Sequence, residues 1–185
     1  MRAALFIDEA NIYFSQKTLK WEVDFEKVYS YFSSHFALYN CFFYAAEPLE
    51  SEKEKKEEYQ QMTLQGYTMR LKRLKEIRDK TGKIVAKKAN LDIEMAVDMF
   101  ATKDNYDIAV VFSGDSDFIR VVELLRTYGK QILIFSTKGH SAIDLINAGD
   151  KYVDMKEMKK LFAVEKKKKA PTKQPAKKKS PQQKK

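Results

Sequence analysis

Apolar residues gather along the chain into short runs, separated by charged stretches with helical spacing. Five runs rich in aliphatic or aromatic residues, 3–7, 41–46, 84–87, 108–112 and 131–135, have the length and composition of strands. At least two are continuously apolar, as expected of strands covered on both faces. A helix begins at Asp24, with Phe25, Val28, Tyr31 and Phe32 at helical spacing, and a long charged helix is expected over 53–80, turning Met62, Leu64, Leu71 and Leu74 to the body. A third helix covers 92–101 and a fourth 117–128, with Gly129 placed to end it. Residues 141–162 add a short helix, an edge strand near Tyr152 and Val153, and a closing helix that ends near Leu161 and Phe162. Alternation of strand and helix predicts an α/β fold, a three-layer sandwich in which helices cover a mostly parallel sheet of about five strands. No internal repeat is present.

The apolar pattern stops at residue 165, and charge takes over. Residues 165–185 hold ten lysines against one glutamate, so this tail carries the whole formal charge of +9, while residues 1–164 are balanced. The sequence therefore divides into one domain, 1–164, with enough hydrophobic content (44%) for a substantial core, and a lysine-rich tail, 165–185, whose composition predicts disorder. Cys41 is the single cysteine and lies in the apolar run Cys41 Phe42 Phe43 Tyr44, which predicts a buried thiol and a reducing, cytoplasmic setting. No run approaches the roughly 20 apolar residues needed to span a bilayer. His35 and His140 lie far apart without cysteine partners, which argues against structural zinc.

Open parallel sheets bind ligands at the carboxyl ends of their strands, and the acids of this chain collect there. Asp8 follows the first strand, with Asn11 three residues on. Asp115 and Asp117 follow the strand 108–112 through the turn Ser113 Gly114, and Asp92 follows the strand 84–87 at the start of a helix. Ser113 or Asp115 suffices to cap the next helix, but one cap needs one residue, and Asp8 has no evident capping duty. Carboxylates from three segments converging on one edge cannot all stay ionised without a cation. Oxygen-only ligands suit Mg²⁺ or Mn²⁺, which generate hydroxide from bound water and stabilise charge on a phosphodiester. Asn11 is a neutral group able to orient water or a carboxylate.

Other motifs fit less well. A Toprim-like site built on Glu9 and the later acid pair leaves Asn11 and Asp92 unused. A phosphatase with a nucleophilic aspartate needs an acid where Ala10 stands, and Ser113 lies outside a G-x-S-x-G elbow. Gly129 Lys130 lacks the rest of a P-loop.

Four strings resemble the NYN domain of the PIN-like metallonucleases, especially its bacterial LabA-like branch: Phe6 Ile7 Asp8 with Asn11; Leu91 Asp92 Ile93 with Asp98; Ser113 Gly114 Asp115 Ser116 Asp117 Phe118; and the stretch around Ser141, Leu145 and Asp150. They occur in family order from residue 3 to about 162. The resemblance implies a PIN-like sheet flanked by helices and Mg²⁺- or Mn²⁺-dependent endonucleolytic hydrolysis of RNA, with Asp8, Asp92, Asp115 and Asp117 holding metal and Asn11 supporting them. The alternative it leaves is an RNA-binding or regulatory adaptor that retains the acids but turns over poorly. Helical geometry sets Asp98 about 120° from Asp92, beside Glu94 and away from an apolar face of Ile93, Ala96, Val97 and Phe100, and so outside the expected set. Asn90 stands where many relatives have glycine. Lys87 and Lys88, then Arg70, Lys72, Arg73, Lys75 and Arg78, are the candidate phosphate contacts, and the tail is a candidate tether for RNA. The aromatic residues fall mostly at core positions and announce no base-stacking platform.

Overall fold

The computed structural model describes residues 1–165 of the chain. Its elements run β1 (Arg2–Asp8), α1 (Glu9–Leu19), α2 (Phe25–His35), β2 (Ala37–Ala46), α3 (Lys53–Gln65), β3 (Tyr67–Lys72), β4 (Lys75–Arg78), β5 (Ile84–Lys88), α4 (Asp92–Ala101), β6 (Ile108–Phe112), α5 (Ile119–Thr127), β7 (Gln131–Ser136), α6 (Ile143–Ala148), β8 (Lys151–Asp154) and α7 (Lys159–Phe162). Six strands form one parallel sheet in the order β3-β2-β1-β6-β7-β8, and β4 and β5 form a separate antiparallel hairpin. The expected sheet thus gains a strand, and the run at 84–88 leaves it. The tail beyond Glu165 lies outside the described residues. Among those residues, no helix is long and apolar enough to cross a membrane.

Alternation along the central strands divides the core. Ala3, Leu5 and Ile7 of β1 turn one way, with Phe43, Val110 and Phe112, to pack on Val28 and Phe32 of α2 and Phe162 of α7. Ala4 and Phe6 turn the other way, with Phe42 and Val111, towards Met95 and Met99 of α4 and Val122 and Leu125 of α5. This gives the three layers. β6 is buried along its whole length, which explains its unbroken apolar sequence.

Three readings are corrected by the packing. The helix over 53–80 stops at Gln65, because Gly66 takes the left-handed conformation (φ 110°) and its amide donates the capping bonds to the Met62 and Thr63 carbonyls. Beyond it Tyr67 is buried and the chain becomes β3 and β4, leaving Leu64 80% exposed and Leu71 44% exposed. α1 has no counterpart in the sequence pattern: Ile12, Tyr13 and Phe14 are consecutive, so no stripe of helical period forms, and only Ile12 and Ser15 are buried. In α4 the buried stripe is Met95 and Met99, with Leu91 just before it, while the face read as apolar points outward, with Ile93 75% and Val97 58% exposed. The other expected helices and the edge strand β8 form where the pattern puts them, and Gly129 follows α5 at φ 73°.

Phe32 lies at the centre of the first core layer, with its ring 5.9 Å from Phe112 and 5.6 Å from Phe135. Truncating it leaves a cavity between α2 and the sheet. Phe32→Ala is expected to lower unfolding free energy by about 3–5 kcal/mol, measured by urea denaturation, with native secondary structure retained in the folded fraction.

Candidate functional site

The strand order reverses between β1 and β6: β2 and β3 lie beyond β1, and β7 and β8 beyond β6. Such a switch point opens a crevice at the carboxyl ends of the two strands. Ile7 pairs with Phe112 in register, so the chains leave the sheet side by side at Asp8 and Ser113. The fully buried Ser113 hydroxyl donates to Asp8 Oδ2 at 3.0 Å, and the Asn11 amide donates to Asp8 Oδ1 at 3.2 Å. Asp8 is therefore the N-cap of α1, contrary to the expectation that it has no capping duty. Its carboxyl has a second relation to its surroundings. Burial pushes it up to about 6, against the two hydrogen bonds, and the neighbouring Asp92 and Asp115 carboxylates push the same way.

After Ser113 the turn needs glycine. A Cβ on Gly114 meets the carbonyl oxygen of His140, Ser136 Oγ at 2.6 Å and the Cα of Ser141 at 2.7 Å, so the turn passes tightly under the loop that follows β7. The Gly114 carbonyl accepts the Ala142 amide at 2.9 Å in the same contact. Asp115 then caps the short 3-10 turn Ser116–Phe118 by accepting the Asp117 amide at 3.0 Å. The capping reading of Asp115 thus holds, and it does not exclude the other one. Asp92 arrives from across the crevice as the first residue of α4, its amide bonded to Asn90 Oδ1 at 2.9 Å. Asn90 closes that turn through its own side chain.

Carboxylate oxygens of Asp92, Asp115 and Asp117 come within 4.8 Å of one another. Asp8 and Asn11 line the adjoining crevice with Asp92 and Asp115, a space of about 590 Å³ that Tyr13 and Tyr44 also border. Asn11 Oδ1 accepts the Ser136 hydroxyl at 3.3 Å, which fixes the amide's orientation. All five expected site residues thus meet at one edge. Three clustered acids with only oxygen donors fit a hard divalent cation.

Other candidates go elsewhere. Asp98 is not among the three clustered acids; it accepts Arg70 Nε at 2.8 Å and the Tyr44 hydroxyl at 3.0 Å. Arg70 is spent on that pair, Lys72 on Glu94, Arg73 on Glu47 and Arg78 on Glu76, so this positive group is largely neutralised by its own neighbours. The side chains of Lys87 and Lys88 lie outside the described residues. Asp150 serves the sheet edge, accepting the Ile132 amide at 2.8 Å and pairing with Arg126. Sequence reasoning passed over Ser113 as anything but a cap. It also missed Tyr13 and Phe14, which are 45% and 54% exposed at the crevice. Finding those two needed α1, and Asp8 as its cap was the available signal.

Burial raises the folded-state value of Asp8 from 3.8 to about 6. The stability held by its protonated form is therefore complete below 3.8 and is lost as pH rises through about 6, a loss of roughly 3 kcal/mol. Asn at this position can keep the bond from the Asn11 backbone amide through Oδ1, reverses the other so that Nδ2 donates to Ser113 Oγ, and never ionises. In chelator, Asp8→Asn is expected to melt several degrees above the parent at pH 8 and close to it at pH 4, read by thermal denaturation at both values.

The family model for the NYN domain matches residues 2–156. The chain is 38% identical over 161 residues to the low amplitude and bright protein LabA of Synechococcus elongatus, an alignment that covers 85% of this chain and 86% of that one. A crystal structure of a protein of unknown function from Vibrio parahaemolyticus superposes with a TM-score of 0.72 at 18% identity, covering 83% of this chain and 92% of that one, which extends the likeness to the fold. With the α/β sandwich, the switch-point acids and the matched span in agreement, the chain belongs to the NYN domain family.

Proposed function

We propose that this protein is a divalent-metal-dependent endoribonuclease of PIN-like type, acting in the cytoplasm, where the lone buried thiol of Cys41 stays reduced. The observation that carries the reading is the convergence of Asp92, Asp115 and Asp117, with carboxylate oxygens within 4.8 Å, at the switch point of an NYN fold. In this reading those three residues and Asp8 hold Mg²⁺ or Mn²⁺. When bound, such an ion supplies Lewis acidity and a water acidic enough to attack a phosphodiester near neutral pH.

The chain's own residues do the rest. Ser113 and the Asn11 amide hold the Asp8 carboxylate from two sides, so its oxygens are oriented before anything binds. The capping bond to the Asp117 amide orients the Asp115 carboxylate in the same way. Asn11, held by Ser136, offers a neutral polar group that adds no charge to an already acidic edge. The rim made by α1 and the start of α4 shelters the crevice and leaves it open to a strand.

Purified protein incubated with a mixed RNA pool is expected to cleave it with Mg²⁺ or Mn²⁺ and to stop in chelator. Asp115→Asn and Asp92→Asn are each expected to reduce cleavage at least a hundredfold with melting temperatures near the parent's. Asp98→Asn, which loosens the pair with Arg70, is expected to lose some stability and keep most of the activity. Full activity in Asp115→Asn would remove the cluster from the reaction.

The tail enters this reading as a sequence-independent tether. Residues 1–164 are charge-balanced and the crevice is acidic, so attraction for a polyanion has to come from the ten lysines beyond. Deleting residues 166–185 is expected to weaken binding of all RNA sequences alike and to flatten the slope of log affinity against log salt. Single-turnover cleavage at saturating enzyme is expected to hold. Fluorescence anisotropy across a salt series reads both the affinity and the slope; an unchanged slope would rule the tether out.

A further inference from the structure

A second cavity, of about 630 Å³, adjoins the acidic crevice across α1. Glu9 and Tyr13 line both spaces and form their common wall, and Lys55 pairs with Glu9 there at 3.3 Å. The far side differs in chemistry from the acidic edge. Tyr13, Trp21, Phe25, Phe43 and Tyr59 contribute aromatic surface, and the cations Lys17, Lys20 and Lys55 are matched by Glu9, Glu22 and Glu58.

That balance selects the ligand. A phosphate entering this space faces three carboxylates with no excess of positive charge. A flat, uncharged heteroaromatic ring finds aromatic walls and edge polarity instead. Tyr59 lines the cavity at 6% exposed, and its buried Oη has no hydrogen-bond partner among the described residues. Such groups are rarely left unpaired in a folded protein. At the wall itself Tyr13 and Phe14 stand exposed in a T-shaped pair, ring centroids 5.5 Å apart, with Lys17 Nζ 4.2 Å from the Tyr13 ring.

We propose that this cavity is a base subsite: it receives an unpaired base from a strand whose phosphate lies at the acidic edge, with Tyr13 as the stacking surface between the two spaces. The proposal rests on the reading of RNA as substrate and adds the requirement that a nucleotide near the cut be unpaired. A base held in a duplex cannot enter a space walled by α1 without leaving its stack.

Trp21 is the only tryptophan in the chain and lines this cavity, so its emission reports occupancy without a label. The full chain in chelator is titrated with a single-stranded oligoribonucleotide and with a duplex of the same length, binding being followed separately by anisotropy. The single strand is expected to change Trp21 emission saturably, and the duplex to bind without changing it. Tyr13→Ala is expected to raise the single-strand Kd about tenfold and leave the duplex Kd unchanged. Tyr59→Phe, which removes only the hydroxyl, is expected to alter the ranking among homopolymers of the four bases at an unchanged melting temperature. A single strand that binds with silent Trp21, together with a Tyr13→Ala Kd equal to the parent's, overturns the subsite even if cleavage proceeds normally. A Trp21 response without cleavage under any metal leaves the subsite standing and removes the nuclease reading. No binding of either RNA overturns both.

Discussion

Because β1 and β6 pair in parallel from Ala3↔Ile108 to Ile7↔Phe112, whatever follows one strand must share space with whatever follows the other. Both strands are covered on both faces, so their register cannot slip without turning buried side chains against the wrong layer. The Asp8 carboxylate and the Ser113 hydroxyl are brought together by that register alone. From there the rest of the edge is assembled: Asp8 caps α1, Gly114 tucks beneath the loop after β7, and Asp115 caps the turn that begins the path to α5.

Capping and clustering use the same carboxylates. A cap asks for a negatively polarised oxygen at a helix start, and the sheet edge of an α/β fold collects helix starts. Asp8, Asp92 and Asp115 each stand at such a start, two as side-chain caps and Asp92 as the first residue of its helix. Local helix energetics therefore accounts for much of the acidic edge before any chemistry is asked of it. What it does not account for is the mutual approach of Asp92, Asp115 and Asp117; Asp8 beside them is raised to about 6 by burial, with Asp92 and Asp115 adding to the rise. That approach, beyond what capping asks for, is the observation on which the proposed metal site rests.

How much of this was legible in the sequence depended on whether the signal was local. The buried strands, with their unbroken apolar runs, and the helix at Asp92–Ala101 could be read directly, and so could the five residues that meet at the edge. The region from Lys53 to Lys88 could not. Lysine and arginine fill both α3 and the strands after it, because β3 lies at the sheet edge and β4 pairs only with β5, so neither needs the apolar content of a central strand. Gly66 was the local sign that the helix stops. α4 failed in another way: apolar residues surround it, and periodicity alone cannot say whether the methionines or the Ile93–Val97 face belongs to the core.

Gly114 fastens more than its own turn. Its carbonyl holds Ala142, its Cα is pressed on His140 and Ser141, and His140 Nε2 lies 2.7 Å from Thr18 Oγ1 on α1. Asp115, the loop after β7 and the far end of α1 are therefore mechanically one piece. A displacement of any one of the three is resisted by the contacts it makes with the others. Across the crevice α4 is reached through the β4–β5 hairpin, which is tied to a different part of the sheet. α4 also packs on α5 and on the turn Ser116–Phe118 that Asp115 caps, so both sides of the opening are anchored on the chain that leaves β6.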